Sequence, residues 1–101
     1  MATNKMRPIH PGEVLREEFL TPLGMSANAL AMALHVPAPR INDIVRERRA
    51  VTTDTALRLA RYFDTTAQFW LNLQTAFNLK IAEGESGVQI AEEVRPMQIA
   101  A

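Results

Sequence analysis

The sequence contains no cysteine and only two histidines, at positions 10 and 35 of its 101 residues. Without a thiol, the chain forms no disulfide bond, no thiolate nucleophile and no cysteine-ligated zinc site. The two histidines belong to no Ser–His–Asp grouping and to no cluster with the spacing of metal ligands. We therefore expect a protein that is not an enzyme, with no catalytic residue, metal, cofactor or small-molecule substrate.

Long apolar runs are also missing, although 48% of the residues are hydrophobic. No segment is long enough to span a bilayer, and the N-terminal stretch "MATNKMRPIHPGE" lacks the apolar core of a signal peptide. We expect a cytoplasmic protein with no membrane partner. A length of 101 residues predicts a single domain.

The net charge is zero, but its distribution along the chain is uneven. Residues 37–63 carry six arginines against three acidic residues, which gives +3. Residues 64–101 carry two basic and five acidic residues, which gives −3. A basic middle beside an acidic end indicates two partners of opposite character, and scattered solvated charge is the alternative.

Helix-start and helix-stop residues divide the chain into five helices and no strand. Pro11 suits the first position of the first helix, which Gly24 ends. Ser26 caps the second helix, "ANALAMAL", and Thr52 caps the fourth, "TDTALRLARYF". The third helix covers roughly residues 38 to 46. We predict an all-α, compact five-helix bundle.

The long fifth helix and the two ends of the chain complete this organisation. Thr65 and Gln68 have the spacing of a capping box that opens the fifth helix. Gly84 and Gly87 are expected to break it. The predicted parts are an N-terminal arm (1–9), a domain (10–83) and a C-terminal tail or short helix (84–101).

The second and third helices are joined by a very short turn, which indicates a helix-turn-helix of the lambda-repressor type. His35 occupies the position that needs a positive φ, and it is among the non-glycine residues that tolerate one. Ala31 is small enough for the helix crossing. Pro37 and Pro39 lie where backbone N–H groups have no intrahelical partner, so they stiffen the entrance of the third helix without losing a hydrogen bond.

The third helix places Ile41, Ile44 and Val45 inward and a hydrophilic side outward. An ordinary solvated helix face is the alternative to a DNA-reading one. If the outward side meets DNA, its chemistry suits base edges and phosphates. The expected contacts are Arg40 to guanine, Asn42 to adenine, Ala38 and Pro39 to a thymine methyl, Asp43 to cytosine (or to Arg46 or Arg40 as an ion pair), and Arg46, Arg48 and Arg49 to phosphates.

Two stretches, "HPGE" and "TALRLARYF" running into "FWLNLQ", carry a family resemblance. Residues 6–83 resemble the HigA/VapI-type antitoxins of the Xre-like helix-turn-helix family. The resemblance implies a homodimeric repressor that binds a palindrome in its own operon. It also implies neutralisation of a co-encoded HigB toxin, similar to the RelE-type mRNA-cleaving ribonucleases. The predicted DNA-binding residues are Ser26, Ala27, Ala38, Pro39, Arg40, Asn42, Asp43, Arg46, Arg48 and Arg49.

The aromatic residues and the acidic end have simpler interpretations. Phe69, Trp70 and Leu73 are expected to anchor the core rather than form a ligand-binding box. Phe77, Leu79 and Ile81 either pack on the tail or form a dimer or partner surface, and the resemblance favours the dimer or partner surface. The acidic tail could face a basic toxin or remain solvated. Two alternative functions are a stand-alone Xre-type regulator and, because Ala38 and Pro39 are apolar, an interaction module with weakened DNA binding.

Overall fold

The computed structural model describes residues 7–98, and within that range the chain forms five helices and no strand. This confirms the all-α prediction. Most of the predicted N-terminal arm, residues 1–6, and the last residues, 99–101, lie outside the described part. Helix α1 covers residues 11–23 and has a π-helical middle, Leu15–Leu20. The others are α2 (Ala27–Leu34), α3 (Ala38–Val45), α4 (Thr53–Phe63) and α5 (Ala67–Glu93).

The predicted ends of the first four helices agree with the structure to within a residue, whereas both the predicted cap and the predicted end of α5 are wrong. The hydroxyls of Ser26 and Thr52 cap α2 and α4, and Gly24, at φ +63°, ends α1. The α5 cap is Thr66, whose hydroxyl accepts from Phe69 N at 3.0 Å. The capping box predicted for Thr65 and Gln68 is therefore wrong: the cap lies one residue later, and Phe69, three residues after Thr66, has no polar side chain that could complete a box.

Thr65 belongs to the end of α4 rather than to the start of α5. Asp64 has a left-handed conformation, at φ +56°, and Thr65 N then donates to the carbonyl of Ala60 at 3.0 Å. This closes α4 in the manner of a helix C-cap. The Thr65 hydroxyl is left to accept a hydrogen bond from the indole N–H of Trp70 at 2.9 Å.

The predicted break at Gly84 and Gly87 is also wrong, because α5 continues through both glycines to Glu93. A glycine inside a helix costs about 1 kcal/mol relative to alanine. It ends the helix only where it takes a left-handed conformation, and Gly24 is the only glycine with a positive φ in the described part. Residues 84–93 are thus the last turns of α5, and residues 94–98 follow without regular structure.

The core lies where all five helices meet, and Trp70 at the start of α5 is completely buried in it. Its ring packs against Phe19 of α1. The centroid of the Phe19 ring lies 4.8 to 6.5 Å from the ring centroids of its aromatic neighbours. The core prediction is confirmed for Trp70, whereas Phe69 is 38% exposed at the edge of the cluster. Burial of each large side chain contributes roughly 1.5–3 kcal/mol. The other fully buried large apolar side chains are Leu15, Leu30, Ile41, Ile44 and Leu59.

Helix α1 approaches α3 so closely that only glycine fits at the contact. A Cβ atom on Gly12 would lie 1.7 Å from the carbonyl oxygen of Ile44. The preceding residue, Pro11, is buried at the first helical position, and His10 Nδ1 accepts a hydrogen bond from Gly12 N at 2.8 Å. The "HPG" string therefore sets how α1 supports the end of α3.

The bundle is less compact than predicted, because the second half of α5 extends beyond the other helices. The molecule measures 56 × 26 × 23 Å, and its radius of gyration is 17.2 Å. A compact domain of this length has a radius of gyration of about 13 Å.

Candidate nucleic-acid interface

The turn between α2 and α3 has the conformation that the sequence predicts. His35 ends α2 in the left-handed region, at φ +59°, and Val36 N donates to the carbonyl of Ala31 at 3.0 Å. Ala31 is buried at the crossing of the two helices, and Val36 packs against the core. The turn fixes α3 at a defined angle across α2.

Helix α3 starts at Ala38, directly behind Pro37. Pro37 has extended backbone angles, and its carbonyl accepts from Arg40 N at 3.0 Å. Neither Pro37 nor Pro39 has an N–H group, so the first turn leaves fewer unsatisfied donors than usual. Pro39 is exposed at the tip of the helix.

The guanidinium of Arg40 is held by a carboxylate of α4. Its Nη1 lies 2.7 Å from Asp54 Oδ2, and Nε of Arg58 donates to the same oxygen at 2.9 Å. These two hydrogen bonds, first that from Arg58, lower the pKa of Asp54. To contact a guanine, Arg40 would therefore either break its hydrogen bond with Asp54 or keep that bond and use its remaining N–H groups.

Arg58 also ties α4 to the end of α2. Its Nη1 donates to the carbonyl of Leu34 at 2.8 Å, and the carbonyl of His35 lies 3.5 Å away. The same residue thus satisfies a free carbonyl at the helix terminus and holds the carboxylate that orients Arg40. Asp54 and Arg58 were not among the predicted site residues, although their i, i+4 spacing was a usable signal.

Asp43 pairs with Arg49, at 3.0 Å, and not with Arg46 or Arg40 as the alternative in the sequence analysis had it. The reason is the path of the chain after α3. Glu47 takes a left-handed conformation, at φ +63°, and Arg48 N donates to the Asp43 carbonyl at 2.8 Å. This turn brings Arg49 back towards the helix.

Asn42 is linked to α2 across the turn. Its Nδ2 donates to Oδ1 of Asn28 at 2.7 Å and to the carbonyl of Ala38 at 3.0 Å. Asn28 was not singled out in the sequence analysis.

None of the ten predicted DNA-binding residues is buried. Arg46 and Arg48 are exposed, and neither forms an ion pair with any residue between 7 and 98. Ser26, Pro39 and Arg49 are also exposed, whereas Ala27, Ala38, Arg40, Asn42 and Asp43 are partly so.

Similarity to known proteins identifies the family of this chain. Residues 15–70 match the helix-turn-helix family. The chain is 66% identical over 80 residues to virulence-associated protein I of Dichelobacter nodosus, covering 79% of this chain and 74% of the relative. It is 37% identical over 79 residues to antitoxin HigA-1 of Vibrio cholerae, covering 78% and 74%.

A solved structure, described as Pseudomonas aeruginosa antitoxin HigA with the higBA promoter, superposes with a TM-score of 0.89 at 55% identity. The match covers 91% of this chain and 100% of that one. The chain belongs to the HigA/VapI-type antitoxins of the Xre-like helix-turn-helix family. This family consists of DNA-binding antitoxins and regulators.

In this antitoxin, α1 holds the C-terminal end of α3 through Arg16. The Arg16 guanidinium donates to the carbonyl of Val45 and lies 3.4 Å from Glu47, while its Nε pairs with Glu17 at 2.9 Å. These contacts fix the turn that presents Arg46 and Arg48. The contacts of Arg16 with Val45 and Glu47 span 29 and 31 residues, so no local pattern in the sequence indicated them.

His10 of the antitoxin is a structural residue at the entry of α1. It is buried, caps α1 through Nδ1, and its ring meets Phe77 edge-to-face at 4.9 Å. Burial lowers its pKa, and nearby Glu47 opposes that shift. Between residues 7 and 98, no three or more His, Asp or Glu side chains are grouped so that they could hold a metal ion.

The three residues predicted for dimer or partner contact do not form one surface. Phe77 is half-buried against His10. Ile81, one turn later, lies on the same side of α5 and is 37% exposed. Leu79, at 56% exposure, lies on the opposite side, since residues two apart on a helix point about 200° away from each other.

In the described part, no helix is both long and apolar enough to cross a membrane.

Proposed function

We propose that this antitoxin binds, as a homodimer, a palindromic operator in its own operon and represses it, and that it neutralises a co-encoded HigB-type, RelE-like mRNA-cleaving toxin. The observation that carries the DNA-binding part is the position of Arg46 and Arg48. Both side chains are exposed at the end of α3 and have no ion-pair partner in the described range. A phosphate contact therefore breaks no ion pair.

The rest of the α3 surface supports the same function. The prolines give a rigid N-terminal end, and residues 38–43 present side chains suited to base edges. The matching promoter complex of the Pseudomonas aeruginosa antitoxin supports a DNA partner for this fold. In a symmetric dimer, two α3 helices would enter successive major grooves about 34 Å apart.

A continuous stripe along α5 is our proposed contact with a second copy of the chain. Phe77, Ile81, Gly84, Val88 and Ala91 recur at alternating spacings of four and three residues. Val88 is 75% exposed, so the outer part of the stripe has no cover within the monomer. Small residues at two of the five positions allow a partner helix to approach closely.

Charge favours an antiparallel arrangement of the two α5 helices. Residues 7–82 carry nine basic and seven acidic residues, or +2, whereas residues 83–98 carry one basic and four acidic residues, or −3. A parallel pair would place the two acidic ends together. An antiparallel pair places each acidic end on the basic part of the partner.

Antiparallel pairing also supports the required spacing of the α3 helices. If Phe77 faces the partner's Val88 and Ile81 faces the partner's Gly84, the midpoint of the pair falls near residue 82. Helix α5 contacts the core near residue 72, between Trp70 and Gln74. About ten residues of α5 then separate each core from the midpoint. At 1.5 Å per residue, the two helical bundles of the dimer lie about 30 Å apart, close to one turn of DNA.

Toxin binding is proposed to involve the acidic end of α5. Glu83, Glu85, Glu92 and Glu93 are all exposed there. An electrostatic contact of these carboxylates would suit the basic surface of a nuclease. Replacing all four with Gln in the full chain should weaken co-purification with the toxin while the variant remains a dimer by light scattering, and unchanged capture of the toxin would reject this contact.

One observation favours a second candidate, an interaction module with weakened DNA binding. Ala38 and Pro39, at the tip of α3, offer no side-chain donor or acceptor to a base. A gel-shift titration with the promoter upstream of the gene separates the candidates. We expect a complex that weakens steeply as salt rises. If no such complex forms, only the partner-binding role remains.

A further inference from the structure

Two acceptors hold the side-chain amide of Asn42 in one orientation. Its Nδ2 donates to Asn28 Oδ1 at 2.7 Å and to the carbonyl oxygen of Ala38 at 3.0 Å. Because a carbonyl oxygen can only accept, the contact with Ala38 decides which end of the amide is Nδ2. Both hydrogens of Nδ2 are used within the protein, so Asn42 offers only its Oδ1 to another molecule.

This orientation changes what Asn42 can recognise by itself. An asparagine that reads adenine alone donates to N7 and accepts from the N6 amino group. Asn42 retains the acceptor but not the donor. An isolated acceptor in the major groove selects bases with an amino group there, which adenine and cytosine have and guanine and thymine lack.

Asn28 supplies the missing donor. It is the second residue of α2, it is exposed, and its Nδ2 has no acceptor among residues 7–98. We propose that Asn28 is a specificity-determining residue and that Asn28 and Asn42 read adenine as one unit. Asn42 Oδ1 accepts from N6, and Asn28 Nδ2 donates to N7. This inference rests on the proposed operator binding.

The proposal can be tested because Asn42 supplies only the acceptor and Asn28 only the donor. Asn28→Asp keeps an oxygen that accepts from Asn42 and so preserves its orientation, but it removes the donor to N7. An aspartate in the first turn of α2 also interacts favourably with the helix dipole, so the fold is not put at risk. The matched control is Asn72→Asp, an exposed asparagine on α5 with the same change of charge.

The experiment selects bound sequences from a pool of random duplexes and then measures affinity for the four versions of each preferred base pair. For the wild type, we expect one position that prefers adenine, and Asn42→Ala should abolish that preference. Asn28→Asp should lose a preference for adenine over cytosine of roughly two- to tenfold, the effect of one hydrogen bond. It should still reject guanine and thymine, and Asn72→Asp should behave as the wild type.

Two outcomes overturn the inference, and they differ from failure of the proposed function. If wild-type protein discriminates bases but Asn28→Asp keeps the full preference for adenine over cytosine, this inference alone is overturned. The same holds if the position controlled by Asn42 prefers guanine or thymine. If the wild type binds no duplex in a salt-dependent way, the proposed operator binding fails and the inference fails with it.

Discussion

A single methyl group at Gly12 should destabilise the protein by disturbing the contact between α1 and α3. In Gly12→Ala the new Cβ would lie 1.7 Å from the Ile44 carbonyl oxygen. That oxygen belongs to the backbone and cannot rotate away as a flexible side chain could. The helices must separate by more than an ångström, which disturbs the packing of buried Leu15 and Ile44 as well.

The expected loss in the free energy of unfolding is the difference between two opposing effects. Overpacking of this kind costs about 1–3 kcal/mol. The higher helix propensity of alanine returns less than about 1 kcal/mol. The net loss of about 1–2 kcal/mol should lower the melting temperature by roughly 4–8 °C per kcal/mol in a domain of this size. Thermal unfolding followed by circular dichroism measures this shift.

Gly87→Ala is the matched control, with the opposite expected sign, because Gly87 does not belong to the proposed α5 stripe. A Cβ there would meet only the Cβ of Glu83, at the ordinary contact distance of 4.0 Å, and the residue lies inside α5. This substitution should raise stability by about 0.5–1 kcal/mol. If Gly12→Ala is as stable as the wild type, the close approach of α1 to α3 is refuted.

Three further results are expected. The ordinary pKa of histidine is 6.5, and the pKa of buried His10 in the folded protein is lower. As the pH falls below the ordinary value, the unfolded chain should take up a proton before folded His10 does, so the free energy of unfolding should fall. His10→Asn keeps a cap acceptor and should flatten that part of the pH profile. Gln74→Leu should cost about 1–3 kcal/mol in a urea titration, because it leaves the buried Val51 N–H without the acceptor now at 2.7 Å; no loss would contradict that assignment. By light scattering, Val88→Glu should yield monomers and Ile90→Glu, on the opposite side of α5, should not; dimers in both would exclude the stripe.

The helix ends could be predicted where the signal was local. Gly24, Ser26 and Thr52 act within one turn of their own helix, and His35 occupies the position of the short turn that usually takes a positive φ. The error at Thr65 arose because two neighbouring threonines were both acceptable caps. Thr65 instead closes α4 through its backbone N–H, and its hydroxyl accepts a hydrogen bond from the indole N–H of Trp70.

The electrostatic details of the site could not be predicted, because they join distant parts of the chain. The ion pair of Arg40 with Asp54 spans 14 residues, and the hydrogen bond of Arg16 to Val45 spans 29. Residue types alone identify the outward side of α3. They do not show that Arg40 is already engaged or that Asn42 has already used its donor.

The contact of α3 with the DNA backbone is tested most directly by the salt dependence of promoter affinity for the wild type and Arg46→Gln, measured by fluorescence anisotropy between about 50 and 200 mM salt. We predict a linear fall of log affinity with log salt for the wild type. For Arg46→Gln we predict weaker binding to all sequences and a slope smaller by about 1. Identical slopes for the two proteins would contradict the claim that the exposed end of α3 lies on the DNA backbone.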